Sequence, residues 1–177
     1  GPDARAGTGE RDDGRVQGLG VLRAAAPGKR GRHVSRVDER EVNVSDTRIR
    51  GLDHVAVPMQ NVAAMLAFYR GLGLDVTETP RACSVHIGSQ MINFHMPETW
   101  QNPNYTLRAP GTKPPSGDFC VVWEGTEEEL RSLLARVGAS VEEGPVERRG
   151  ARRVMASSIY TRDPDGNLLE FMSYPAT

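Results

Sequence analysis

Residues 52–76, LDHVAVPMQNVAAMLAFYRGLGLDV, decide the fold. In the opening segment His54 and Ala56 fall on one face of an extended chain and Val55 and Val57 on the other, because strand side chains alternate with a period of two. After Gln60 and Asn61 the period changes: Val62, Met65, Leu66 and Tyr69 recur at helical spacing, which predicts a helix near 61–72 ended by Gly71 and Gly73. A strand with one polar face that runs straight into an amphipathic helix reads as a strand packed on that helix, with its polar face left for other work.

Working outward, the same order of signals appears twice. Strands are predicted near 74–79, 82–87 and 90–96, the last two joined by a Gly88-Ser89 turn. A loop from Pro97 to Gly117, holding five prolines, separates this half from the next. A strand at 118–124 then enters a helix announced by a capping box, Thr126 with Glu129, and carried by Leu130, Leu133, Leu134 and Val137 up to Gly138. Further strands are predicted near 140–147, 152–161 and 168–173. Asp163-Pro164-Asp165-Gly166-Asn167 joins the final pair, with Pro to fix φ and Gly to supply a positive one. A shift of 64 positions lays Asp118 on His54 and Leu130 on Leu66, and matching the last strands of the halves lays Glu170 on Asn93. This is the mark of an internal duplication.

Four of these strands share one asymmetry. His54 in LDHVAV, Asn93 and His95 in MINFHM, Asp118 in GDFCVVW and Glu170 in NLLEFM each oppose bulky apolar neighbours. A carboxylate inside an apolar strand is costly to bury unpaired, and a cation is a natural remedy. The polar faces therefore read as the walls of a cavity with nitrogen and oxygen donors for a divalent metal. Tyr160 and Arg162 would border it, and His86 belongs on a surface or rim.

Composition narrows the partners. The chain has 177 residues, enough for one full-sized core, and a net charge of -1, which offers no warrant for nucleic acid or an anionic membrane. That balance hides a split: residues 1–50 carry 11 basic and 8 acidic groups, leaving 11 basic and 15 acidic for the rest, so a small molecule or a cation suits the folded part best. Residues 1–49, including the basic run Gly28–His33, lack apolar periodicity and are expected to form a disordered, solvated extension. Cys83 and Cys120 sit in apolar runs and are expected to be reduced core residues. With no disulfide framework, no membrane-length apolar run and no signal peptide, a cytoplasmic location is expected.

LDHVAVPMQNVAAMLAFYRGLGLDV and IYTRDPDGNLLEF resemble the opening strand and helix and the closing hairpin of the vicinal-oxygen-chelate superfamily, also called the glyoxalase and bleomycin-resistance fold, over about residues 50–175. INFH, VEEGPVERRGA and SIYTRDPDGN are most similar to its glyoxalase-domain-containing protein 5 subgroup. The resemblance implies an α+β fold of two βαβββ modules, about 51–97 and 117–175, whose sheets form an open curl around a cavity, in a homodimer. It implies a divalent metal (Zn, Ni, Mn, Fe or Co) on His54, Asp118 and Glu170, with His95 as a further ligand. Glu170 and Asp118 would move protons, and Asn93, His95, Tyr160 and Arg162 would meet the substrate. Two positions depart from the lactoylglutathione lyase pattern: Asp118 stands where relatives often carry histidine, and Asn93 where they carry a carboxylate. The same departures weigh against an iron extradiol dioxygenase.

The expected function is a metal-dependent, glyoxalase-like enzyme whose small oxygenated substrate chelates the metal through two neighbouring oxygens. One alternative is a metal-free module that sequesters an antibiotic. Another is a fosfomycin-type thiol transferase, for which Arg81, Arg108, Lys113 and the Arg148, Arg149, Arg152, Arg153 cluster would supply the basic groups.

Overall fold

One pattern of strand, helix and three strands is used twice. The computed structural model describes residues 48–176. The expectations for residues 1–49 and for the basic run at 28–33 therefore fall outside the described residues, apart from 48 and 49. The first module contains β1 (His54–Pro58), α1 (Val62–Gly71), β2 (Asp75–Glu78), β3 (Ala82–Ile87) and β4 (Gln90–His95). A short helix, α2 (Pro97–Trp100), follows, and then β5 (Asp118–Val122), α3 (Glu127–Arg136), β6 (Glu143–Arg149), β7 (Met155–Arg162) and β8 (Leu168–Ser173) form the second module. Each module holds one mixed four-stranded sheet, ordered β1-β4-β3-β2 and β5-β8-β7-β6, in which only the β1–β4 and β5–β8 pairs are parallel.

The duplication extends to the strand register. Ala56 lies opposite Asn93 and Cys120 opposite Glu170, so Asn93 and Glu170 occupy the same ladder position in the two modules. His54 and Asp118 likewise open equivalent edge strands.

The apolar faces of both sheets feed one core with the helices. Met65, Phe68 and Tyr69 of α1, Val85 and Phe94 of the first sheet, Leu130 and Leu134 of α3, and Ile159, Leu169 and Phe171 of the second sheet are buried in it together. Phe94 and Phe119 meet edge to face at 6.1 Å, which joins the apolar side of β4 to that of β5.

The two helices are capped by different means. At α3 the expected capping box forms: Thr126 Oγ1 accepts from the Glu129 amide at 3.2 Å, and Glu129 Oε2 accepts from the Thr126 amide at 2.7 Å. The Thr126 amide, and next the Thr126 hydroxyl donating to the same Oε2 at 3.0 Å, hold the Glu129 carboxyl below the usual carboxylate range. At α1, Asn61 supplies no side-chain cap, and Asp165 from the turn between β7 and β8 accepts from the Gln60 and Asn61 amides at 2.6 and 2.8 Å. Asp163 in the same turn is buried, and its Oδ2 accepts from the Tyr69 hydroxyl at 2.9 Å and from Asn167 Nδ2 at 2.8 Å. The pentapeptide is thus both the predicted turn and the clasp between modules.

Some expectations need correction. The stretch read as an unbroken loop after Pro97 begins with α2: Pro97 presets the first helical φ, Trp100 Nε1 donates to Met59 O at 2.8 Å, and a single turn is too short to show apolar periodicity. Cys83 is buried as expected, but Cys120 is exposed, because it lies on the polar face of the edge strand β5. β7 begins at Met155, not near 152, because residues 150–154 make the hairpin turn, where the Arg153 amide donates to Gly150 O. No helix among the described residues is long and apolar enough to cross a membrane.

Candidate functional site

Strand alternation settles which side chains share a face. In the first sheet His54, Asn93 and His95 lie on the same side as Ser84 and His86, opposite the face that enters the core. His54 Nδ1 is 2.7 Å from Asp53 Oδ1, and since a carboxylate only accepts, Nδ1 donates to it and Nε2 is the ring nitrogen left outside that contact. Asn93 Oδ1 accepts from Ser84 Oγ at 3.2 Å. His95 is buried with its ring edge-on to Tyr105 at 5.4 Å. Burial, and secondly the nearby His54, hold its pKa below the usual histidine value, so it is neutral at physiological pH, the form that binds metals. His86 is half-buried at the far side of this face, 3.5 Å from Thr77 Oγ1.

In the second sheet Asp118, Cys120 and Glu170 share a face with Ser158, Tyr160 and Arg162 of β7. Glu170 is half-buried and Ser158 fully so, and Ser158 Oγ donates to Glu170 Oε1 at 2.5 Å, which orients the carboxylate. The Cys120 thiol also faces this carboxylate; burial first, and then the Glu170 charge, push it up to about 12. Burial and the Glu170 contact raise the Tyr160 hydroxyl, while Arg148 on its other side pulls it back. Asp118, Glu170, Tyr160, Arg148, Arg162 and Leu168 border a cavity of about 340 Å3.

The two guanidinium groups there differ in freedom. Arg162 donates from Nε and Nη2 to the two oxygens of Glu142 at 2.6 and 2.9 Å, and from Nη1 to Gly166 O at 3.0 Å, so its donors are committed to the fold. That clamp holds the Glu142 carboxyl below its ordinary value.

The chain therefore gathers the expected residues into two groups. Imidazoles and Asn93 are on the first sheet, and Asp118, Glu170, Tyr160 and Arg162 are on the second. Among the described residues no three His, Cys, Asp or Glu side chains come close enough together to hold one ion. As a donor set, neutral imidazole nitrogen with carboxylate oxygen still fits Zn, Ni, Mn, Fe or Co. Sequence reasoning missed Ser158, although it alternates in phase with Tyr160 and Arg162. It also left the arginine cluster undivided, where the structure sets Arg148 apart in the cavity.

A family model described as the Glyoxalase/Bleomycin resistance protein/Dioxygenase superfamily matches residues 51–171. The glyoxalase domain-containing protein RDO1 of Mycosarcoma maydis is 34% identical over 127 residues, spanning 71% of this chain and 69% of that protein. The virulence protein STM3117 of Salmonella typhimurium is 34% identical over 125 residues, spanning 70% of this chain and 83% of that one. The crystal structure of STM3117 superposes with a TM-score of 0.64 at 31% identity, covering 73% of this chain and all of that one. An integron cassette protein from the mobile metagenome of V. cholerae also gives 0.64, at 27% identity over 73% of this chain and 98% of that one.

Proposed function

The chain belongs to the Glyoxalase/Bleomycin resistance protein/Dioxygenase superfamily, and from that premise we propose that it is a divalent-metal-dependent, glyoxalase-like enzyme acting on a small oxygenated metabolite. The observation that carries this reading is the repeated ladder position: where the first module places Asn93 beside His54 and His95, the second places Glu170 beside Asp118, all on faces turned from the core. One Zn, Ni, Mn, Fe or Co ion would be held by His54, with His95 in support, and by Asp118 and Glu170. Such an ion would supply Lewis-acid stabilisation of negative charge developing on the substrate oxygens. Glu170, oriented by Ser158, and Asp118 accept and return protons next to those oxygens. Asn93, His95 and Tyr160 hydrogen-bond the substrate, and Arg162 walls the cavity.

A second copy of the chain completes this site, since the imidazoles and the carboxylates stand on separate sheets. Among the described residues β1 and β5 are both edge strands, and Leu52 (70%), Val55 (36%) and Val122 (50%) are exposed beside them. An isologous dimer would cover those edges and set one copy's His54 against the other's Glu170.

The test is metal content in protein purified without chelator, in the native sequence, His54→Ala and Glu170→Ala. Each single variant should lose the metal, and a mixture allowed to exchange subunits should recover part of it, because one of its two sites is then intact. Equal metal in all three samples rejects the site; loss without recovery on mixing rejects the shared arrangement. Ligand-dependent thermal stabilisation that ignores added metal would favour a metal-free binding module.

A further inference from the structure

Arg148 is the feature of the candidate cavity that the metal reading leaves unused. It lies on β6 opposite Ala156, with Val146 opposite Ser158, so the polar face there carries small side chains and the arginine lies along it. Its guanidinium carbon comes within 5.7 Å of the Tyr160 ring centre. Tyr160 lies opposite Glu170 in the β7–β8 ladder, which places this cation one phenol away from a carboxylate assigned to the metal.

Its restraints are slight. Nη2 reaches Glu143 Oε1 at 3.1 Å and Nη1 reaches the Glu147 carbonyl at 3.1 Å, single long bonds where Arg162 has a short two-pronged clamp. The Arg148 and Glu143 side chains are 45% and 57% exposed, and a half-exposed ion pair is easily exchanged for another anion. Charge around the cavity can be divided in the same way. Glu142 is matched by Arg162, and Asp118 and Glu170 are the metal's own counter-charges. Among the described carboxylates that line the cavity, Glu143 is the one paired with Arg148.

We propose that Arg148, with the Tyr160 hydroxyl, is an anion-recognition subsite, and that the substrate carries a carboxylate or similar anionic group beyond the two oxygens that meet the metal. This rests on the metal reading above. Glu143 holds the arginine in place until the ligand anion replaces it, and fork-shaped guanidinium recognition of a carboxylate gives the subsite its direction.

The experiment uses the full chain with Mn or Co added and four probes differing only at the far end: malate against 2-hydroxybutyrate, and 2-hydroxyglutarate against 2-hydroxypentanoate. Calorimetry should show the dicarboxylate of at least one pair binding about tenfold tighter or more, the scale of one charge-assisted hydrogen bond. Arg148→Gln should bring that ratio close to one, Arg148→Lys should restore part of it, and Glu143→Gln should raise it, each variant first being checked for a native melting profile. A preference that survives Arg148→Gln comes from extra chelation by the ligand and overturns the subsite. Equal binding within both pairs overturns it too, while leaving the metal site standing. If none of the four binds the loaded protein, the subsite is overturned, and the metal reading stands or falls on metal content alone.

Discussion

Replacing Tyr69 by Phe should separate the two modules' shared polar clasp from their shared core. The ring is buried, packed edge to face with Phe68 at 5.3 Å and against Phe94 at 5.2 Å, and phenylalanine keeps that packing. What is lost is one donor to Asp163 Oδ2 at 2.9 Å. Asn167 Nδ2 at 2.8 Å and the amides of Asp165 and Asn167 at 3.0 and 2.9 Å remain. Hydrogen bonds to charged groups contribute about 1.5–3 kcal/mol net, so urea unfolding at pH 7.5 should show a loss of about 2 kcal/mol with an unchanged m-value.

The pH dependence gives a stricter check. Burial raises the Asp163 pKa against the pull of its hydrogen bonds, so the native state keeps this proton to higher pH than the unfolded chain does. That group's contribution to stability is therefore greatest at low pH and declines as pH rises through its folded-state pKa. Removing a donor that favours the anion raises the folded pKa further. The cost of Tyr69→Phe should then be full above the variant's folded pKa and should shrink as pH falls through it. A loss under about 0.5 kcal/mol, or one that does not shrink on acidification, would refute the reasoning.

Four other outcomes follow from the same geometry. Ser158→Ala removes the donor that orients Glu170 and should weaken metal binding by roughly tenfold or more, the usual effect of an outer hydrogen-bond partner; an unchanged competition titration with a chelating dye would sink that role. Gly144 has φ of +118°, and a Cβ there would stand 2.5 Å from the Ser158 carbonyl oxygen, so Gly144→Ala should cost on the order of 3 kcal/mol or prevent folding, and a wild-type melting temperature would contradict it. Asp165→Ala should cost about 1 kcal/mol and speed hydrogen exchange at the Gln60 and Asn61 amides selectively, whereas uniform exchange would mean that the contact is not local. Cys120 is exposed, yet its thiol is pushed up to about 12, so metal-free protein at pH 8 should react with a disulfide reagent at least about tenfold slower than free cysteine; fast labelling would show that Glu170 does not sit against the sulfur.

What could be read in advance was what local geometry controls. Alternation in LDHVAV and NLLEFM told which side chains leave the core, because a slip of one residue would turn Val57, Leu169 and Phe171 to the wrong face. The capping box at Thr126 is a three-residue relation, and it formed as read. The boundaries that moved lie where backbone partners come from elsewhere. Ser140 O, for example, is taken by the Thr161 hydroxyl at 2.7 Å, and β6 begins three residues later at Glu143.

The site was visible only as halves for a related reason. A period of two gives a residue's direction relative to its own sheet and carries no information about which sheet lies across from it. His54 and Glu170 each leave the core as alternation requires, yet whether they face each other depends on how two sheets, or two chains, are set side by side. Asp165 makes the same point from the side of stability: it binds the amides that lead into a helix about a hundred residues earlier, and nothing near it or near α1 announces the pairing, since Asn61 is itself a favoured capping residue and only the structure shows its side chain leaving the helix start uncapped. An aspartate in a Pro-Asp-Gly turn at a loop tip is well suited to bring a carboxylate there.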